Sequence, residues 1–234
     1  MSAMASLTTL NASAAAGVSA GASAVEAAAP GAGRVLPTRT ELAAVLPWPG
    51  LRRGSTVAVH GSVSLVFALL SEATRNGSWA AVVGLPGISL VAASECGVDL
   101  DRLAMVPRPG GDPVGVVAAL LDGVDLVVVG NTRQVSDQDA RRLSARARNL
   151  GSVLLPFGAW PGAEVQLRCV GASWHGIGEG HGHLRERAVT VRSRGRGAAA
   201  RPRSCRLLLP ARDGSIGLPA EDRGVRPRLR PVAG

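Results

Sequence analysis

Five short, nearly unbroken apolar runs recur along the chain: Thr56–Val59, Trp79–Val83, Leu103–Val106, Leu126–Val129 and Val153–Phe157. A strand with one wet face must alternate apolar and polar residues, whereas a strand covered on both faces need not. Segments with helical spacing follow the first four runs: Leu65–Thr74, Ile88–Cys96, Val114–Leu121, and a helix that Ser136 or Asp137 caps and that ends at Leu150. Strands of this kind alternating with helices predict an α/β fold, a mostly parallel sheet covered by helices on both faces. After Phe157 the pattern changes. Val165–Ala172, Ala188–Arg194 and Arg206–Leu209 alternate more and are joined by Gly-rich turns. They predict antiparallel strands added at the sheet edge, a C-terminal extension of the core.

Composition sets the boundaries. Residues 1–33 are a mixture of Ala, Ser and Gly that buries too little surface to offset its ordering entropy. They read as a disordered extension, with a short helix over Ala22–Ala29 as its one candidate element. Order is expected from Arg34, with a short helix from Thr40 to Leu46 ended by Pro47-Trp48-Pro49-Gly50. The folded domain reads as 34–210 and a basic Pro/Arg-rich tail as 211–234. Aromatics make up only 3% of the chain and tyrosine is absent, so Val, Leu and Ala must build the core. Cys96, Cys169 and Cys205 form no C-x-x-C pair, which points to a reduced, cytoplasmic setting. The N-terminus lacks the basic and apolar regions of a signal peptide. No apolar stretch reaches the ~20 residues that span a bilayer.

All 26 basic residues are arginine, and they are unevenly placed. Residues 1–140 hold 8 arginines against 11 acids, a net of −3; residues 141–234 hold 18 against 6, a net of +12. A basic C-terminal half points to an acidic partner, nucleic acid or protein, or to a solubilising face.

The segment Gly54-Ser-Thr-Val-Ala-Val-His-Gly61, with the helix after it, has the turn, strand, loop and helix layout of a nucleotide-binding ATPase. A working phosphate-binding loop reads G-x-x-x-x-G-K-[ST], with backbone amides, a lysine and a hydroxyl sharing the phosphates and magnesium. Here only Ser62 and Val63 separate Gly61 from Ser64, and no lysine exists to supply the charge. The loop is too short to wrap a triphosphate. Ser62 is placed to cap the helix, whose free amides could hold an anion weakly.

Over about Leu46 to Arg194 the chain resembles the RecA core. The matching pieces are Leu51-Arg-Arg-Gly-Ser-Thr-Val-Ala-Val-His-Gly61 before the loop, Gly97-Val-Asp-Leu-Asp-Arg-Leu103 before the third core strand, and Asp122-Gly-Val-Asp-Leu-Val-Val-Val129 before the Walker B position. More narrowly it resembles the degenerate RecA-like proteins encoded beside actinobacterial error-prone polymerases, the ImuA-type accessory proteins of the DNA-damage mutasome. The lysine-free Gly61-Ser62-Val63-Ser64-Leu65 loop, Trp160-Pro-Gly162 and Trp174-His-Gly-Ile-Gly-Glu-Gly-His-Gly-His183 carry that likeness.

The resemblance also identifies what is missing. The glutamate that polarises the attacking water falls at or near Pro86, and the Walker B aspartate falls at Gly130. Asp125 lies at the other end of its strand, roughly 13 Å away at about 3.3 Å per residue. With the degenerate loop Gly61, Ser62 and Ser64, these losses imply no catalysis, no cofactor and no metal. A relocated nucleotide site on Arg52 or Arg53 is the alternative. The segments equivalent to the family's DNA loops, Asn131–Val135 and Gly158–Ala163, are short, and only Trp160 could stack on a base there.

The implied role is a non-catalytic adaptor in the SOS response and error-prone translesion synthesis. Its implied partners are a Y-family polymerase-like hub protein and a C-family error-prone polymerase. The alternatives are a non-specific DNA-binding protein or a septation inhibitor of the same fold. Trp48, Trp160 and Trp174 are candidate interface anchors or core residues. Arg223, Arg226, Arg228 and Arg230 in the tail are candidate contacts to DNA or an acidic patch. His175, Glu179, His181 and His183 have ligand-like spacing, but the alternating glycines read as a surface hairpin. The helix arginines Arg141, Arg142, Arg146 and Arg148 read as a solvated face, with Asp137 pairing Arg141.

Overall fold

A computed structural model describes residues 34–178 and 181–219. Ten strands and four α-helices appear in them. The strands are β1 (Val35–Pro37), β2 (Gly50–Arg52), β3 (Val57–His60), β4 (Ala80–Val83), β5 (Leu103–Val106), β6 (Leu126–Val129), β7 (Val153–Pro156), β8 (Val165–Gly178), β9 (His181–Gly195) and β10 (Arg203–Leu208). The helices are α1 (Val63–Arg75), α2 (Leu90–Glu95), α3 (Pro113–Gly123) and α4 (Asp137–Leu150).

β5, β4, β6 and β7 form one parallel sheet in that spatial order; β3, β8, β9 and β10 form another. Bridges at Thr56–Leu154 and Val59–Phe157 place β3 beside β7 and join the two. β8 runs parallel to β3, and β9 turns back antiparallel to β8. The expected core of five parallel strands with an antiparallel extension is therefore present.

Two apolar layers sandwich the parallel strands. One holds the buried face of α1 (Leu65, Val66, Leu69 and Leu70) against Val57, Val82, Val128 and Leu155. The other holds Val117, Leu121, Leu143 and Ala147 of α3 and α4 against Ala58, Val127 and Leu154. Residues of β4, β6 and β7 are buried on both faces, which is why their sequences do not alternate.

The departures from expectation have local causes. β1 and β2 pair as an antiparallel ribbon that buries Leu36 and Leu51, too short and too Pro-rich to announce itself. The expected helix from Thr40 contracts to a 3₁₀ turn, Thr40–Leu42, and Thr40 does not cap it; the residue in the cap position is Arg39. Ser136, rather than Asp137, caps α4 by accepting from the Asp139 amide at 3.1 Å. Packing also continues past the expected end of the domain at 210. Gly217 pairs with Leu208, and Ile216 is buried in the core. Residues 1–33 and the tail beyond 219, including the Ala22–Ala29 segment, lie outside the described residues.

Candidate functional site

The loop between β3 and α1 is two residues, Gly61 and Ser62. Gly61 has φ +84°, and a Cβ there would sit 3.1 Å from the Cys169 carbonyl of β8, so glycine is required by conformation and by space. Ser62 occupies the cap position but makes no side-chain cap bond; it is 4% exposed, and its hydroxyl lies beside the Cys169 thiol of β8. The expected Ser62 cap is thus absent, because the side chain turns under β8 rather than over the helix amides. Burial raises the Cys169 thiol pKa, with Arg187 and the nearby Ser62 hydroxyl opposing the shift. The backbone of β8 at Cys169 thus packs closely on the two-residue loop, with Ser62 buried beside it.

Pro86 and Gly130, far apart in sequence, meet at one crevice of about 350 Å³ at the carboxyl ends of β4, β5 and β6. β4 feeds α2 on one face and β5 feeds α3 on the other, and open α/β sheets form crevices at such a reversal. Gly130 is wedged: a Cβ there would lie 2.4 Å from the Gly84 carbonyl oxygen and 2.5 Å from Leu85 Cγ. Val83, Val117 and Val129 form its floor, and Arg108, Asn131 and Gln134 supply polar groups at its rim. Sequence reading missed those three. Only the left-handed Asn131 (φ 49°) left a faint signal, a residue type that tolerates this conformation. No residue lining the crevice is acidic, a histidine or a nucleophile. The amide end of α3 beside it is already satisfied by the Asp112 carboxylate, which accepts from Gly115 at 2.8 Å.

Asp125 and the two nearby arginines form a separate structural cluster at the opposite strand ends. Arg53 pairs with Asp125 at 2.7 Å, and the Trp79 amide donates to the same carboxylate at 2.9 Å. Arg52 lies over the Trp48 ring at 4.5 Å and pairs with Glu164 at 2.5 Å. Both arginines considered for a relocated nucleotide site are therefore engaged, far from the crevice.

The MT3502 N-terminal domain model matches residues 44–162. The chain belongs to this family. Its matched span runs from the turn before β2 to the loop after β7, and so takes in both the two-residue loop and the crevice. A Mycobacterium tuberculosis protein described as uncharacterized, Rv3395c, is 46% identical over 116 residues. That alignment covers 49% of this chain and 57% of the mycobacterial protein, less than two thirds of its length.

The remaining expected site residues divide. Trp160, open between a stacking platform, an interface anchor and a core residue, is 4% exposed and its indole N–H donates to Ser144 Oγ at 2.9 Å; it is a core residue that ties the loop after β7 to α4. Trp48 is half-buried against the main core. Trp174 is 48% exposed, with the Arg187 guanidinium 5.9 Å from its ring. Arg223, Arg226, Arg228 and Arg230 lie outside the described residues. On α4, Arg146 pairs with Asp122 at 2.5 Å, Arg148 with Glu164 at 3.5 Å and Arg141 with Asp137 at 4.0 Å. His175 lies on β8 opposite Glu186 on β9, and its ring is 3.2 Å from the Ser173 hydroxyl. Among the described residues no three metal-ligating side chains cluster, and no helix is long and apolar enough to cross a membrane.

Proposed function

We propose that this protein is a non-catalytic, RecA-like adaptor of the DNA-damage response that serves error-prone translesion synthesis through protein–protein contact. The observation that carries the reading is the packing at Gly130. The position where the resemblance calls for a metal-binding carboxylate is held against Gly84 and Leu85 too closely for any side chain. Pro86 stands where a general base is needed, and the two-residue loop at Gly61 carries no cation. A scaffold of this kind offers surfaces rather than chemistry. The antiparallel extension after the fifth parallel strand also supports the RecA likeness.

The projecting end of the β8–β9 hairpin is the surface best suited to a partner. Residues 171–176 and 183–185 are exposed, beyond the reach of β10, which ends opposite Ala188. Trp174 there is a large, partly open aromatic of the kind that dominates interface energies. By resemblance the partners are the Y-family polymerase-like hub protein and, through it, the C-family error-prone polymerase. Titrating purified protein against the hub protein tests this. Capture is expected, and Trp174→Ala should weaken it about thirtyfold, the loss of roughly 2 kcal/mol typical of an interface hot spot. Absence of capture by the wild-type chain would refute the reading.

A further inference from the structure

One face of the extension is left uncovered, and its register concentrates charge. Residues of β8, β9 and β10 that share a side with Val59 and Leu167 pack into the core. The other side continues from Ala58 and His60 of β3 outward, past the edge of the helices that cover the parallel strands. There Arg168 on β8 lies directly opposite Arg192 on β9. Arg194, one rung along, faces Gln166; Arg206 on β10, one rung the other way, faces Thr190. All four arginines are exposed.

Like charges set directly opposite one another on a sheet destabilise the pairing. A chain that places Arg168 against Arg192, with no acid in the same rungs, keeps that repulsion on an open surface. The acids that flank the patch are occupied: Glu164 pairs with Arg52, and Glu186 with Arg212 at 3.2 Å. Among the described residues no carboxylate pairs with Arg168, Arg192 or Arg194. His60, the neighbour of Arg168 in the β3–β8 register, has its pKa lowered first by burial and then by the charges of Arg168 and Arg194, so the positive field reaches the sheet itself. At the end of the patch a shallow depression of about 330 Å³ is bordered by Gln166, Arg194 and Arg196.

We infer that this arginine face is a docking surface for the phosphate backbone of nucleic acid. Arginines rooted on backbones about 4.8 Å apart across strands and about 6.7 Å apart along one strand present a lattice of forked donors to successive phosphates. Nucleic acid fits better than an acidic protein because the patch lacks an exposed apolar or aromatic anchor: Val170 is only half-exposed, and Leu208, on the same side of β10, is buried. Contacts of this kind are independent of sequence and sensitive to salt. This surface is separate from the hairpin end assigned to the protein partner.

Fluorescence anisotropy of the full chain with labelled duplex and single-stranded DNA, at about 50 and about 200 mM salt, tests the inference. Three phosphate contacts, at Arg168, Arg192 and Arg194, predict an affinity loss of about fortyfold between those concentrations. The triple variant R168Q/R192Q/R194Q should bind weakly, with the salt slope reduced by about 0.9 for each arginine removed. R168K/R192K/R194K, which keeps the charge, should retain most binding and shows that loss in the first variant is not misfolding. R141Q/R142Q/R148Q removes equal charge from α4 and should bind as the wild type does. Undetectable wild-type binding at the lower salt, an unchanged slope in the glutamine variant, or equal loss in the α4 variant would each overturn the inference. So would polyglutamate bound more tightly than DNA, which would assign the face to an acidic protein. Capture of the hub protein by the glutamine variant is expected to be normal, so failure here is distinct from failure of the adaptor reading.

Discussion

A methyl group on residue 130 would meet the Gly84 carbonyl oxygen at 2.4 Å and the Leu85 side chain at 2.5 Å. The first of these contacts is to backbone, which cannot swing aside as a flexible side chain would. Gly130→Ala should therefore cost about 1–3 kcal/mol, read as a lowered urea midpoint at unchanged m-value. Gly130→Asp should cost more and restore no ATP turnover. The resemblance to the RecA core drew attention to this position, but the steric constraint on it depends on a turn contributed by the neighbouring strand. Trp160 was open in the sequence between an interface anchor and a core residue. The fold decides for the core, with Ser144 beneath the indole. Cys96 gives a pH prediction. Burial pushes its thiol from 9.0 up to about 11. The folded state thus holds the proton more tightly than the unfolded state. That stabilisation is fully present below about pH 9 and is lost as pH rises towards 11, at most about 3 kcal/mol. Denaturation across this pH range should show the decline, and Cys96→Ala should flatten it.

At the level of elements, legibility followed burial. The five parallel strands were readable because each is a short apolar run, buried on both faces in all but the half-exposed edge strand β5, and apolar content survives any uncertainty about neighbours. The β8–β9 hairpin was read too short. Its outer half is Gly-rich and packs against no third strand, so nothing in its residue pattern marks it as strand. The arginine face was invisible for a different reason: Arg168 and Arg192 meet only through cross-strand register, and β8 carries register shifts after Val170 and after His175 that no spacing rule anticipates. Of the three helix caps read from the sequence, those at Thr40 and Ser62 fail and the one at the start of α4 holds. Ser136 accepts from the Asp139 amide and donates to its carboxylate at 2.6 Å. Ser136→Ala should therefore cost about 1 kcal/mol, measured as a shift in thermal midpoint, while Asp137→Ala, whose pairing with Arg141 is long and exposed, should change it little.

Across the whole molecule, the family match and the folding unit do not coincide. The matched region ends at residue 162, yet Val165, Leu167, Val189, Val191, Leu207 and Ile216 belong to the same core cluster as the α1 leucines. Beyond the family boundary, β8 pairs directly with β3, the central strand that leads into the two-residue loop. Removing the extension would expose the edge of β3 and uncover one side of the apolar layer beneath α1, where Val57 and Val59 are now 1% exposed or less. An exposed apolar edge strand recruits other chains. A fragment ending at residue 162 should thus lack a cooperative thermal transition and aggregate, while a fragment ending at 219 should melt as the full chain does. Differential scanning calorimetry with light scattering distinguishes the two. A soluble, cooperatively melting 162-residue fragment would mean that the sheet extension is an appendage, and the arginine face would then sit on a dispensable element rather than on one wall of the core.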